Sequence, residues 1–139
     1  MFQTLMTDEL ADDPRKLSAL VSRVSKLASE YSVPSVIVGL VANEGDTTFP
    51  EYIHYLQSAL RVEDGIFRMT RERAVVHLAD VDREQAVQVL DRLTGAFADE
   101  FPAQEPPDFR IQFYEAGADI GELKVKDVLT RIFVACTLH

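Results

Sequence analysis

From residue 13 to 31 apolar side chains recur at helical intervals: Leu17, Leu20, Val21, Val24, Leu27, Ala28 and Tyr31 make one stripe. With Asp12 or Asp13 as cap and Pro14 in the first turn, the pattern predicts a helix. "SVIVGLV", residues 35 to 41, is apolar almost throughout and rich in β-branched residues, as suits a central strand covered on both faces. "ANEGDTTF" is turn chemistry, and Pro50 opens a second helix running to about Leu60 with Ile53, Leu56 and Leu60 inward. "DGIFRM" and "RAVVHLA" are short strands separated by a few polar residues, the spacing of a β-hairpin.

Asp82 and Gln85 have the spacing of a capping box, and Ala86, Val89, Leu90, Leu93 and Phe97 follow at helical intervals. "FPAQEPPD" reads as a surface connection and "FRIQFYEA" alternates as a strand. "ELKVKDVLTRIFVACTL" closes the chain as a helix, with the Lys124-x-Lys126 alternation leaving a strand open at its start. The order is helix, β-α-β-β-α-β, helix. That predicts an α+β domain spanning residues 1–139 with a ferredoxin-like βαββαβ core, its antiparallel sheet carrying helices on one face, plus an extra N-terminal helix.

The 139 residues are 47% hydrophobic and 27% charged, the balance of a soluble globular protein. No apolar run approaches the roughly 18 residues of a transmembrane helix, so no membrane partner is expected. "MFQTLMTDELADD" lacks a basic start and apolar run, and Cys136 is the single cysteine. Both agree with a cytoplasmic setting. A net charge of -9 repels phosphate backbones, which argues against nucleic acid as a partner. Arg61, Arg68, Arg71 and Arg73 nonetheless cluster locally, which suits a small anionic ligand.

The histidines His54, His77 and His139 lack metal-ligand spacing, and neither a metal nor another cofactor is expected. His77 shares a strand face with Val75 and is expected to be partly buried and hydrogen-bonded. Cys136 reads as a small core residue. Tyr52 and Tyr55 either stack on a ligand or pack in the core.

The stretch "RVEDGIFRMTRERAVVHLADVD", residues 61 to 82, resembles the diguanylate cyclases, the GGDEF domains. In that family Arg-x-x-Asp is followed by five residues, the pentad Gly-Gly-Asp/Glu-Glu-Phe at a hairpin turn, a hydrophobic strand and a polar turn into a helix. Here Arg61-x-x-Asp64 is followed by Gly65 to Met69, then Thr70-Arg71-Glu72-Arg73-Ala74, "VVHL" and Ala79 to Asp82, without a gap. Arg68 falls where members carry the arginine of "RYGG". The strict match covers residues 56 to 93, and element order extends it over most of the chain.

The resemblance also implies losses. The family's glycines let the turn approach a nucleotide, and its carboxylates serve metal binding and catalysis. Thr70 and Arg71 stand in place of the glycines, and Arg73 stands where a carboxylate is expected. Val41 and Ala42 lie near the position of a magnesium-binding Asp at the end of the first strand. The connection onward to Arg61 is about ten residues shorter than usual and lacks the family's nucleotide-contacting segment.

The implied protein is a catalytically inactive, degenerate GGDEF domain, not an enzyme, that regulates by binding another protein or itself. Its contact surfaces would be the hairpin residues Arg71, Glu72 and Arg73 and the helix from 13 to 31. The alternative is a receptor for cyclic di-GMP or a related nucleotide, with Arg61 and Asp64 as ligand residues and Arg68 and Arg71 as helpers. Composition alone gives about one Arg-x-x-Asp by chance, so the motif's location carries what information it has. A purely structural role is the competing assignment: Arg61 at a helix end and Asp64 in the turn beyond it.

Overall fold

A computed structural model of the protein describes residues 11–105 and 107–137, with residues 134–137 as backbone alone. The opening stretch, His139 and the Cys136 side chain lie outside the described residues. In chain order the elements are α1 (Pro14–Tyr31), β1 (Ser35–Ala42), α2 (Thr48–Ala59), β2 (Gly65–Arg68), β3 (Arg73–Ala79), α3 (Arg83–Glu100), β4 (Phe109–Ala116) and α4 (Val125–Thr137). The four strands form one antiparallel sheet in the order β2-β3-β1-β4, the ferredoxin-like arrangement expected.

Local chemistry sets most boundaries. The Asp13 side chain accepts from the Arg15 amide to cap α1. Ser32, at φ 54°, ends that helix in the left-handed conformation, with its N–H and that of Val33 returning to Ala28 O and Leu27 O. Asp82 and Gln85 form both halves of the capping box at the start of α3. The second helix starts two residues before Pro50, because the Asp46 carboxylate receives the amides of Thr48 (2.8 Å) and Phe49 (2.9 Å). Residues 121–124 are not a strand, and α4 starts at Val125.

The largest departure from expectation is that helices cover both faces of the sheet, not one. Even-numbered residues of β1 (Val36, Val38, Leu40) join Ala74, Val76 and Leu78 of β3 beneath α2 and α3. Odd-numbered ones (Ile37, Val41) join Val75 and Phe67 beneath α1 and α4. Alternation directs successive side chains to opposite faces, so a strand apolar at every position requires two covers. Every residue of β1 is buried. Close packing of α4 over β1 explains Gly39, where a Cβ would meet Ile132 Cβ and O at 2.9 Å. Among the described residues no helix is long and apolar enough to cross a membrane.

Candidate functional site

Arg61 and Asp64 sit in the turn between α2 and β2 and bind each other. Arg61 Nε donates to Asp64 Oδ2 and Nη2 to Oδ1, both at 3.0 Å, and the Arg61 amide reaches Oδ2 at 3.2 Å. The pair then clamps the end of β3: Ala79 N–H donates to Asp64 Oδ1 at 3.0 Å, and Arg61 Nη2 donates to the Ala79 carbonyl at 2.6 Å. The Asp64 side chain is 2% exposed and that of Arg61 47%. The hydrogen bond from Asp64 raises the arginine's pKa further, with burial opposing it.

Arg68 and Arg71 lie elsewhere. Arg68 pairs with Ala74 in the ladder, whereas Arg61 meets Ala79, and five residues of strand separate the two by about 17 Å. The structure therefore does not gather Arg61, Asp64, Arg68 and Arg71 into one site. The Arg68 guanidinium and backbone hold Asp12: Nη2 to Oδ1 at 2.9 Å, Nε to Oδ1 at 3.2 Å, and N–H to Oδ2 at 2.8 Å. In return the Asp12 N–H donates to Arg68 O, so residue 12 covers part of the free edge of β2. Burial acts to raise the Asp12 pKa, but the bonds from Arg68 outweigh it and leave the carboxyl below its ordinary range.

The hairpin tip abuts the end of β1, where Ala42 N–H donates to Glu72 O at 2.8 Å. Arg71 is exposed and Glu72 half-buried. Arg73 turns back over the Phe133 ring, 5.5 Å from its centroid, so the three tip residues do not share one outward surface. Arg68, Thr70 and Arg71 meet Pro50 and Ile53 around a recess of only about 20 Å³. Among the described residues no three His, Cys, Asp or Glu side chains converge as a metal site would require.

His77 is 1% exposed, with Nε2 at 3.0 Å from Ser35 Oγ, and its burial pushes its pKa down to about 4. Tyr52 is fully buried, stacked on Phe109 and bonded to Thr94 through its hydroxyl, and Tyr55 packs edge-on to Phe97 and Phe101. Both tyrosines are packing residues. Sequence reasoning missed Asp46 and Ser35, and took Asp12 only as an alternative cap of α1, a role that Asp13 fills. Asp46 carried a local signal, an acidic residue ahead of an apolar helical run, whereas Asp12 and Ser35 find partners 56 and 42 positions away.

No protein-family model and no curated protein sequence matches the chain. Solved structures do. PelD from Pseudomonas aeruginosa PAO1 superposes with a TM-score of 0.65 at 22% identity, over 88% of this chain and 46% of that one. This chain thus spans about half the length of the PelD chain it matches. The GGDEF domain of FimX from Pseudomonas aeruginosa gives 0.60 at 15% identity, over 91% of each chain. A DGC protein from Thermotoga maritima gives 0.55 at 13%, over 88% of this chain and 89% of that one. The chain has the α+β fold of GGDEF domains, with an antiparallel four-stranded sheet and helices.

Proposed function

We propose that this chain is a regulatory domain of GGDEF-type fold that has lost nucleotide turnover and works by binding a partner protein or a second copy of itself. The observation that carries the reading is Asp46. A helix start offers free amides that readily hold phosphate, but here the first amides of α2 are occupied by a carboxylate of the chain itself. That fixed negative charge lies in the loop leaving β1, whose end is bonded to the hairpin tip. A triphosphate entering there would meet Asp46 and the Arg71 side chain where the resemblance requires glycines and magnesium ligands.

Incubation with GTP and magnesium is expected to give no cyclic product, and formation of one would overturn the inactive half of this reading. For the interaction half, light scattering on the purified chain and capture from native lysate are expected to show a stable complex that Arg71→Glu weakens about tenfold. An unaccompanied monomer in both would overturn it.

A receptor for cyclic di-GMP is the second reading. It is favoured by the half-exposed Arg61 guanidinium, whose Nη1 meets, among the described residues, only Glu63, at 3.9 Å. Calorimetry with cyclic di-GMP should then show saturable heat that Arg61→Ala weakens by about 2 kcal/mol. A titration without heat rejects this reading.

A further inference from the structure

The layer formed by α1 does not close completely over the hairpin. Gly65 is the cross-strand partner of His77 and has no side chain to pack beside the imidazole. A Cβ at Gly65 would meet Leu20 Cδ1 at 3.6 Å and His77 Cβ at 4.0 Å, ordinary contact distances. The resulting cleft has a volume of about 200 Å³, with Ala19, Leu20 and Ile66 as apolar walls and His77 among its lining residues. It holds the equivalent of about seven waters, far too little for a dinucleotide.

Two features give the cleft chemical character. Every fully buried side-chain nitrogen and oxygen among the described residues has a hydrogen-bond partner. His77 bonds Ser35 through Nε2 alone, so Nδ1, in a residue 99% buried, opens on the cleft. At the rim stand Lys16 and Arg23, which with Leu20 follow i, i+4, i+7 spacing along one stripe of α1. Arg23 has no hydrogen bond or ion pair among the described residues, and Lys16 reaches only Asp12, at 3.4 Å. Asp64 also borders the cleft, but both its oxygens are engaged by Arg61 and Ala79. Of the four cations of the helix, Arg15, Lys16 and Lys26 pair with Asp13, Asp12 and Glu30, which leaves Arg23 to draw an anion in a chain whose net charge of -9 repels it from much of the remaining surface.

We propose that this cleft binds a small organic anion: a carboxylate held by Lys16 and Arg23, on an apolar body that fills the gap above Gly65 and ends in a hydroxyl bonded to His77 Nδ1. The site lies on the α1 side of the sheet and does not depend on whether the hairpin docks a partner or Arg61 holds a nucleotide.

The probe is 4-hydroxybenzoate, added to the ¹⁵N-labelled chain while the Gly65 amide and His77 ring signals are followed by NMR. Saturable shifts at both are expected, with Kd on the order of 1 mM or tighter. Arg23→Gln, at an exposed position, should weaken binding about tenfold by removing the charge-assisted contact. Gly65→Val should abolish binding by filling the cleft, in a strand position that favours β-branched residues. The neutral 4-hydroxybenzamide should bind far more weakly. The proposal is overturned by any of three results: no saturation at about 10 mM, equal shifts from the amide, or binding unchanged in both variants.

Discussion

Removing the Asp64 carboxylate separates a structural role for Arg-x-x-Asp from a ligand-binding one. Asp64→Ala deletes the acceptor of four donors: the Ala79 and Arg61 amides and two nitrogens of the Arg61 guanidinium. Ala79 is buried, so its N–H would lose its partner without gaining water, a penalty of about 1–3 kcal/mol. The ion pair adds less, because the Arg61 side chain is half-exposed and screened, about 0.5–1 kcal/mol. Loss of the turn bond from the Arg61 amide brings the total to about 3 kcal/mol, or roughly 10 °C in Tm for a chain of this size. Urea denaturation should therefore show a lower midpoint at unchanged slope. The double variant Arg61→Ala/Asp64→Ala should be little worse than Asp64→Ala alone, since the residues act as one unit. If Asp64→Ala stays within about 0.5 kcal/mol of the parent, the structural account of the motif is wrong.

Other consequences are tested in the same way. Gly39→Ala pushes a Cβ to within 2.9 Å of the Ile132 backbone, which cannot swing aside, and should cost about 1–3 kcal/mol by denaturant titration. Stability should also decline between pH 6.5 and about 4, because the unfolded chain protonates His77 at its ordinary pKa of 6.5 while the native chain holds it neutral down to about 4. In that window the unfolded state binds more protons and stability rises with pH; the full amplitude is about 3 kcal/mol, and His77→Gln should flatten the profile there. The Asp12 carboxyl, lowered by Arg68, contributes at lower pH, its stabilisation being lost as pH falls below 3.8.

What was legible in the sequence was periodic or local. The stripe of α1, the apolar run of β1, the capping box at Asp82 and the alternation of β4 each predicted their element, because each pattern is fixed by neighbours a few residues away. The second cover over the sheet was implied by β1, whose odd positions are as apolar as its even ones, but only the structure supplies α1 and α4 as that cover. The site was less legible because its interactions are non-local. Arg68 looked like a helper to Arg61 by proximity in sequence, yet a strand carries the two apart and Arg68 pairs with Asp12 instead. Gly65 gave no signal at all, since what matters there is the missing side chain beside His77.

The geometry also changes what the motif itself can mean. An Arg-x-x-Asp whose carboxylate secures a strand end and whose guanidinium caps a carbonyl has a sufficient physical reason to exist without any ligand. A nucleotide recruited by Arg61 would first have to compete with Asp64, a bidentate partner already in place and shielded from water. That competition costs the ligand affinity unless it supplies a replacement for both the arginine and the Ala79 amide. At the rim of α1 the competition is weaker: Lys16 would have to leave only Asp12, at 3.4 Å, Arg23 is free of ion pairs among the described residues, and Gly65 has left room that no described side chain fills. Apart from Arg61 Nη1, the motif's binding groups are engaged within the chain, whereas Arg23 beside it has no ion pair among the described residues.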